Sequence, residues 1–422
     1  MSRPVIGFAG MTHLGLVSGV AASEKGFRVV CFDPDAGCID ELNAQRLPVS
    51  EPRLDELLAQ NPTRLKFTSR STDLAECDVV YVAPDVPTDD AGRSDLGPIN
   101  ALLETVFGAA RKDAVIVVLS QVPPGFTRGK ARPGRILYYQ VETLIFGRAV
   151  ERALEPERFI VGCADPGQPL PPAYGTFLEA HGCPILPMRY ESAELAKISI
   201  NMCLVASVST ANTLAELCEK IGADWSEIVP ALKLDRRIGP YSYLAPGLGI
   251  SGGNLERDLA TVIRFADELG TDAGVVRAWV ANSRYRKDWA LRTLQREVLS
   301  QTNDPVIAVL GLAYKQDTHS TKNSPSIALL EHLKPFRVRV FDPVVSAAAA
   351  PNPRCRGAVS ELEACEGADA LAVMTPWAQF KKLDAREIAA RLRGKVVLDP
   401  YAVLDSIACR AAGLAYLTLG VK

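Results

Sequence analysis

The sequence predicts an α/β protein with two doubly wound Rossmann-like parallel-sheet domains, joined by a long central helix and a helical middle domain. Three observations support this: short apolar strands alternate with helices near the start of the chain, the same alternation returns after residue 305, and a long apolar helical pattern lies between them. We expect a first α/β domain at residues 1–195, a central helical domain at 196–298 and a C-terminal α/β domain at 299–422.

The first residues predict a βαβ unit. VIGFAG (5–10) is a β-type run, a helical pattern follows from Leu14 to Lys25, and RVVCFDPD (28–35) is a second strand. Two further apolar strands follow at DVVYVAP (78–84) and AVIVVLS (114–120). Strands without polar alternation, separated by helices, are typical of a parallel sheet that is covered on both faces.

The middle and the end of the chain complete this architecture. Leu195 to Cys218 is helical and apolar almost all round, as expected for a helix buried between domains or in a subunit interface. VIAVLGLAY (306–314), VRVFDP (338–343), ALAVMTP (370–376) and KVVLDP (395–400) then predict a second doubly wound sheet.

Composition argues against several classes of partner. The 47 basic and 49 acidic side chains nearly balance, and no basic run favours nucleic acid. Ten cysteines without a CxxC pair and only four histidines predict neither a metal site nor a disulfide framework. The N-terminus lacks the pattern of a signal peptide, and no uninterrupted apolar run reaches the roughly 18 residues of a membrane span, so we expect a cytoplasmic protein without a membrane partner.

The turn after the first strand is a candidate dinucleotide site. Gly10 and Gly15 keep the outer spacing of GxGxxG, but Thr12 stands at the middle glycine. Asp33 ends the second strand, where an acid suits a ribose hydroxyl and disfavours the 2′-phosphate of NADP. The pattern favours NAD, with Thr12 pushing the pyrophosphate outward; a purely structural tight turn is the alternative.

Three polar side chains stand in apolar surroundings. Lys197 and Asn201 are four residues apart, so they share one face of the long helix and could stabilise an oxyanion together. Glu142, in QVETLIFG, has apolar neighbours, and a buried carboxylate at that position would be suited to acid/base work. The alternatives are a solvated lysine and a partly exposed glutamate at the end of an element. SQVPPGFTR (120–128) indicates a loop.

GLGISGGNLERD (247–258) is a glycine-rich turn that leads into a charged helical start. Its four glycines, among them Gly252 and Gly253, would let backbone N–H groups approach a ligand closely. Asn254 follows them at the position where a catalytic side chain is expected.

The whole chain resembles the UDP-glucose/GDP-mannose dehydrogenase family of NAD-dependent enzymes that oxidise nucleotide sugars. Nine segments carry the resemblance in order: FAGMTHLGL, LNAQRLPVSEPRLDELL (42–58), VPTD (86–89), SQVP, VETLIFG, ESAELAKISIN (191–201), LDRRIGP (234–240), SGGNLERD and GLAYKQDTHSTKNSPS (311–326). The resemblance implies that the N-terminal domain binds NAD, that the C-terminal domain covers the UDP part of the substrate, and that the long helix forms the core of a homodimer.

The resemblance also implies roles for the residues above. Lys197 and Asn201 match the pair that holds the sugar oxygen during hydride transfer. Asp258 matches the aspartate that orients the catalytic water, and Glu142 matches the acid/base glutamate.

Further matches concern substrate and cofactor. Arg237 matches an arginine that reaches the substrate across the dimer, and Lys315 matches the lysine of the C-terminal domain. Lys322 replaces an arginine expected near the cofactor, and Tyr401 replaces an arginine that contacts the substrate in many relatives.

Asn254 falls at the position of the family's nucleophilic cysteine, which traps an aldehyde so that a second hydride can leave. An amide nitrogen cannot do this, because its lone pair is delocalised into the carbonyl group. Gln121 and Phe146 replace a threonine and a second glutamate of the same region, so the departures gather where thioester chemistry would occur.

We therefore expect an NAD-dependent dehydrogenase of a nucleotide sugar, a UDP-hexose, that stops after one two-electron oxidation. Three alternatives stay open: an epimerase-like enzyme that returns the hydride, a conventional UDP-glucose 6-dehydrogenase that oxidises a hydrated aldehyde to UDP-glucuronate, and a nucleotide-sugar-binding protein without catalysis.

Overall fold

A computed structural model describes residues 3–89 and 93–422 of the chain. The chain forms two compact units, and the boundary between them falls between Ile200 and Asn201.

The first unit contains an eight-stranded sheet with the order β3-β2-β1-β4-β5-β6-β7-β8. All neighbouring strands are parallel except β6 and β7, which are antiparallel. The strands are β1 (Val5–Ala9), β2 (Arg28–Phe32), β3 (Leu65–Thr68), β4 (Val79–Val82), β5 (Val115–Val118), β6 (Ile136–Gln140), β7 (Phe159–Cys163) and β8 (Ile185–Arg189). The helices are α1 (His13–Glu24), α2 (Ala36–Asn43), α3 (Leu54–Gln60), α4 (Gly97–Ala109), α5 (Phe126–Lys130), α6 (Ala149–Leu154) and α7 (Pro172–Glu179), with a 3-10 helix at Ser71–Glu76.

Apolar side chains cover both faces of this sheet, as the sequence predicts. Successive strand residues point to opposite faces, so Phe8 joins one core and the next residue, Ala9, joins the other. Tyr81 and Val82 of β4 divide in the same way. The continuous apolar runs therefore reflect burial on both sides.

The long helix, α8 (Tyr190–Ile221), crosses the unit boundary and extends the predicted 195–218 in both directions. Burial on this helix does not follow polarity. The polar side chains of Glu194 and Asn201 are buried, whereas Leu195 and Leu217 are about half exposed. Among the described residues it is the one helix with the length and composition to cross a membrane, although polar residues interrupt its apolar sequence.

The second unit contains a fully parallel six-stranded sheet with the order β11-β10-β9-β12-β13-β14. The strands are β9 (Val306–Leu310), β10 (Arg337–Phe341), β11 (Cys355–Gly357), β12 (Ala370–Val373), β13 (Val396–Leu398) and β14 (Ala415–Leu417). The helices are α9 (Trp225–Leu234), α10 (Asn254–Leu269), α11 (Gly274–Lys287), α12 (Trp289–Leu294), α13 (Pro325–His332), α14 (Glu361–Cys365), α15 (Ala385–Arg391) and α16 (Ser406–Ala411). Shorter helical turns lie at Gln295–Leu299, Ala347–Ala349 and Ala378–Lys382.

All eight predicted strands end earlier than expected, and for two of them the reason is a local one. β1 stops before Gly10 and β9 stops before Gly311, whose φ angles are +95° and +94°. A positive φ breaks the extended conformation and turns the chain toward the next helix.

Candidate active site

The β1–α1 turn requires glycine at positions 10 and 15, the outer positions of the GxGxxG spacing. A Cβ at Gly10, which has a positive φ, would lie 2.8 Å from the backbone nitrogen of Pro84. A Cβ at Gly15 would lie 1.9 Å from the carbonyl oxygen of Gly10. The backbone is therefore packed as closely as a Rossmann phosphate-binding turn demands.

Asp33 follows β2 and reaches this turn. Its Oδ2 accepts a hydrogen bond from the backbone N–H of Met11 at 2.7 Å, and its Oδ1 accepts one from Asp35 at 3.0 Å. Each carboxylate oxygen has a second lone pair, so the group can still accept hydrogen bonds from a ribose. The turn and this acid fit the adenosine and pyrophosphate parts of NAD.

The second sheet repeats the device with a different outcome. Gly311 turns the chain after β9, and Asp342 after β10 takes the place that corresponds to Asp33. The carboxylate of Asp342 accepts hydrogen bonds from five donors, namely the backbone N–H groups of Leu312, Ala313, Val344 and Val345 and the indole of Trp377. These donors fill the lone pairs of the Asp342 carboxylate, so it cannot also accept hydrogen bonds from a ribose. A dinucleotide therefore fits the turn of the first unit better than the turn of the second.

Thr12 is the residue before α1, and it does not cap that helix with its own side chain. Its Oγ1 instead accepts a hydrogen bond of 2.8 Å from the backbone N–H of Asp85, in the loop after β4. The substitution in the glycine pattern therefore joins two loops of the crevice between β1 and β4, where the strand order of the sheet reverses.

A histidine at the start of α1 was not identified from the sequence. The Nε2 of His13 lies 2.8 Å from the carboxylate of Glu51, and its ring stacks on Phe146 with centroids 4.1 Å apart. Buried Glu51 also accepts hydrogen bonds from the backbone N–H groups of Gly147 and Ala149. Phe146, one of the substituted positions, thus helps to place the side chain at the helix N-terminus.

The first unit brings Glu142 and Lys197 together. The Lys197 Nζ lies 2.8 Å from Oε1 of Glu142 and donates to its backbone carbonyl oxygen at 3.2 Å. The other carboxylate oxygen accepts from the backbone N–H of Leu144. Both side chains are mostly buried, at 13% and 16% exposure, so Lys197 is not a solvated lysine. Glu142 lies two residues after the end of β6 and keeps partial exposure, as the alternative for it describes.

The loop at 120–128 is held by another buried acid. Glu194 accepts hydrogen bonds from the backbone N–H groups of Gly125 and Thr127 at 2.6 and 2.8 Å. Burial raises the pKa of Glu194, and these hydrogen bonds oppose the shift. Residues 120–125 form the predicted loop, whereas 126–128 belong to α5, and no pattern in the sequence indicates this anchor.

The second unit brings Asn201 and Asp258 together. The Asn201 Nδ2 donates to Oδ2 of Asp258 at 2.5 Å, and the Nε of Arg257 lies 3.4 Å from Oδ1. All three residues are buried. A buried carboxylate with a fixed amide donor is suited to orienting a hydroxyl group or a water molecule.

The glycine-rich turn lies directly before α10. Gly252 has a φ of +79°, its N–H donates to the carbonyl oxygen of Lys322, and its own carbonyl oxygen accepts from Asn323. Gly253 is the N-cap and Asn254, which is exposed, is the first helical residue. Asn254 and Asp258 therefore lie one helical turn apart.

The remaining predicted residues occupy separate places in the second unit. Lys315 lies with its Nζ 5.9 Å from the ring centre of Tyr314. The side chain of Arg237 is 88% exposed and pairs with Asp235 at 2.6 Å. Tyr401, whose pKa is raised by burial, lines a cavity of about 800 Å³ formed by residues 224–246 and 400–421.

Eight of the ten cysteines offer little nucleophilic thiolate. Burial raises the thiol pKa of eight of them: Cys31, Cys38, Cys77, Cys163, Cys183, Cys355, Cys365 and Cys409. For Cys365 the value reaches about 12. Cys203, which is exposed, follows Asn201 by two residues on α8, so it points about 200° away around the helix.

The doubly wound sheet, its glycine turn and Asp33 define a dinucleotide-binding protein. Models of three domains match the chain: the NAD binding domain over residues 5–169, the central domain over 191–284 and the UDP binding domain over 308–406. The chain belongs to the UDP-glucose/GDP-mannose dehydrogenase family.

Its relatives agree with this assignment. The chain is 30% identical to the UDP-glucose 6-dehydrogenase of Rickettsia typhi, over 99% of both chains, and 31% identical to that of Pseudomonas aeruginosa, over 92% of this chain and 91% of the relative. The structure of a UDP-glucose dehydrogenase from Pyrobaculum islandicum matches with a TM-score of 0.83 at 26% identity, covering 96% of this chain and 98% of that one. A UDP-D-ManNAc dehydrogenase structure from Pyrococcus horikoshii, at 23% identity, 99% coverage of both chains and a TM-score of 0.84, shares the fold.

Proposed function

We propose that this enzyme oxidises a UDP-hexose with NAD and stops after a single two-electron step. The observation that carries the proposal is the residue that opens α10: Asn254, an exposed amide one helical turn from the buried carboxylate of Asp258. The position carries an amide where relatives of this family are expected to carry a thiol.

The two buried pairs supply the chemistry of alcohol oxidation. NAD, when bound, accepts the hydride. The ammonium group of Lys197 stabilises the alkoxide that develops on the sugar, because its charge is held in a largely dry position beside Glu142. Glu142, whose carboxylate pairs with Lys197 and accepts a hydrogen bond from the backbone N–H of Leu144, is placed to take the proton that the alcohol loses.

The second pair positions the sugar. Asn201 and Asp258 hold each other by a hydrogen bond of 2.5 Å, so both side chains are fixed before substrate arrives. Such preorganisation lowers the cost of aligning the substrate hydroxyl. Asp258 accepts the hydrogen bond of Asn201 and is placed to hold a proton of the substrate hydroxyl.

Asn254 separates this enzyme from one that forms a uronate through a thioester. An amide has neither an available lone pair nor an acidic proton near neutral pH, so it cannot add to an aldehyde as a thiolate does. Asn254 hydrogen-bonds the sugar, and the aldehyde or ketone formed by the first oxidation is the product.

Two observations support the wider arrangement. The apolar side chains of Leu195 and Leu217 on α8 are about half exposed in the single chain, and Arg237 is exposed, which supports a homodimer in which that arginine reaches the partner's substrate. We assign residues 1–195 to NAD, 196–298 to dimerisation and 299–422 to the UDP part, in a cytoplasmic enzyme that acts without nucleic acid or membrane. Lys315, Gly252 and Gly253 contact substrate, and Lys322 contacts the cofactor.

Conventional formation of UDP-glucuronate is the second candidate, and the named activity of the relatives at 30% and 31% identity favours it. It requires direct oxidation of a hydrated aldehyde, because Asn254 cannot hold a covalent adduct. An epimerase-like cycle would regenerate NAD, and a binding protein would give no turnover.

The test is incubation of the enzyme with NAD and a panel of UDP- and GDP-sugars, read as the mass of the sugar product. One oxidation step removes about 2 mass units, whereas conversion to the acid adds about 14. A product at +14 contradicts the proposal, an unchanged mass with an altered stereocentre indicates hydride return, and binding without any product indicates a non-catalytic protein.

A further inference from the structure

A single peptide group connects Arg152 to the carboxylate of Glu142. The Nε of Arg152 donates to the carbonyl oxygen of Thr143 at 2.6 Å, and the backbone N–H of Leu144 donates to Oε2 of Glu142 at 2.9 Å. That carbonyl group and that N–H belong to the same peptide bond. No peptide bond among the described residues is cis, so the C=O and the N–H point in opposite directions, one toward Arg152 and the other toward Glu142.

Arg152 reaches this peptide group from a helix that is anchored elsewhere. It lies on α6, whose first residue, Ala149, donates its N–H to the buried carboxylate of Glu51 at 3.1 Å. The Arg152 side chain is 17% exposed, and its Nη1 lies 3.3 Å from Oε1 of Glu157. Glu157 is itself 63% exposed, so that ion pair contributes little to the position of Arg152, and the shorter bond to Thr143 is the stronger contact.

The residues of this connection also line a small cavity in the first unit. Glu142, Thr143, Leu144 and Arg152 form part of the wall of a cavity of about 60 Å³. That volume holds a few water molecules, whereas sites for small-molecule ligands measure roughly 300–1,000 Å³. Arg152 therefore does not reach a substrate through this cavity, and its effect on the reaction passes through the peptide group.

Two donors hold the Glu142 carboxylate. The Nζ of Lys197 lies 2.8 Å from Oε1, and the N–H of Leu144 donates to Oε2. Lys197 also has to stabilise the alkoxide that develops on the substrate, so the hydrogen bond from Leu144 keeps the carboxylate in place during proton transfer. Arg152 strengthens this bond, because hydrogen bonds in a chain polarise one another and a charged donor on the carbonyl oxygen restrains the peptide plane.

We infer that Arg152 is a positioning residue: through the peptide group between Thr143 and Leu144, it holds the carboxylate of Glu142 in the orientation that takes the proton of the substrate alcohol. Without Arg152 the peptide plane can rotate, and the N–H of Leu144 turns away from the carboxylate. The inference rests on the role of Glu142 in the proposed function, and it is independent of how many oxidation steps follow.

Hydrogen exchange, measured by mass spectrometry on the full-length protein, tests the connection without any need for turnover. The proteins compared are the wild type, Arg152→Met and Arg158→Met. Arg158 is the matched control, because its Nη1 donates to the other carboxylate oxygen of the same Glu157 at 2.7 Å. The peptide that covers residues 141–147 should exchange about tenfold faster in Arg152→Met, since a hydrogen bond to a charged donor is lost, and as in wild type in Arg158→Met. Equal exchange in Arg152→Met and wild type would overturn the inference.

Steady-state kinetics with NAD and the UDP-sugar that the enzyme oxidises, UDP-glucose first, provide the second measurement. We expect Arg152→Met to lower kcat about tenfold and to leave both KM values within about twofold, because the orientation of the base changes and substrate binding does not. Arg152→Lys should restore most of the lost kcat, since its ammonium group can donate to the Thr143 carbonyl oxygen. Arg158→Met should stay within about twofold of wild type.

A double-mutant cycle with Glu142→Gln shows whether Arg152 acts through Glu142. Adding Arg152→Met to Glu142→Gln should lower kcat by less than about twofold further. Thermal unfolding shows that each variant is folded. A normal kcat in folded Arg152→Met, no rescue by Arg152→Lys, or additive losses in the double variant would overturn the inference and leave Arg152 as a structural contact of the loop.

Failure of the proposed function gives a different result. A normal kcat in Glu142→Gln would contradict the proposed role of Glu142 and would overturn this inference with it. Absence of turnover with every sugar of the panel would contradict the proposed function, and hydrogen exchange alone would then decide whether Arg152 holds the peptide group.

Discussion

Replacing Gly15 by alanine tests whether the β1–α1 turn is as tight as a dinucleotide site requires. The added Cβ would lie 1.9 Å from the carbonyl oxygen of Gly10 and 3.3 Å from that of Ala83, whereas Cβ contacts below 3.0 Å essentially never occur. Both neighbours are backbone atoms, so no side chain can rotate away. The turn must open by about 1 Å. A displacement of that size at a binding site lowers its function on the order of 100-fold, so we expect the affinity for NAD to fall by about that factor.

The same clash lowers the stability of the protein. Overpacking of a rigid site costs about 1–3 kcal/mol, which corresponds to a fall in Tm of about 2–12 °C for a unit of this size. Titration with NAD and a thermal melt measure the two effects. Gly108→Ala on α4 is the matched control, because nothing lies within 4 Å of its Cβ position. Wild-type affinity and Tm in Gly15→Ala would refute the assignment of this turn.

Three further substitutions test the two pairs and the exposed arginine. Lys197→Met should lower kcat by about 10²–10³-fold with NAD affinity unchanged, because the cation next to Glu142 acts on the developing alkoxide. Steady-state kinetics measure this effect. An unchanged kcat contradicts this role of Lys197. Asn201→Asp places a second carboxylate beside buried Asp258, so the pair keeps a proton and its pKa in the folded protein exceeds that in the unfolded chain. The stability that this proton supports is present at low pH and is lost as the pH rises. Thermal melts should show this pH dependence in Asn201→Asp and not in Asn201→Ala. Arg237→Ala should raise the KM for the nucleotide sugar about tenfold, because it removes a charge proposed to contact the substrate. The Tm should change little, because the side chain is 88% exposed and pairs with nearby Asp235. A normal KM contradicts a role at the substrate.

The sheets were predictable because each apolar run is buried on both faces, which leaves a continuous hydrophobic signal such as VVYV in β4. The antiparallel pairing of β6 with β7 was not predictable, because side-chain periodicity carries no information about strand direction. The ends of β1 and β9 followed from the positive φ of Gly10 and Gly311, which the sequence shows only as glycine.

The site was predictable where residues are neighbours along the chain and less so where the fold joins distant segments. Lys197 and Asn201 share a face of α8 by their spacing, but their carboxylate partners lie 55 and 57 residues away. His13 and Glu51 are separated by 38 residues, and Asp85 reaches Thr12 across 73. Such contacts depend on which strands are adjacent, and that order is set by tertiary packing.

The central claim is that Asn254 leaves the reaction at one oxidation. Counting NADH released per molecule of sugar nucleotide, with the sugar limiting and the reaction taken to completion, tests it most directly. We predict one NADH per sugar together with an aldehyde or ketone product that reacts with a carbonyl reagent. Two NADH per sugar, with a uronate as the product, would contradict the account.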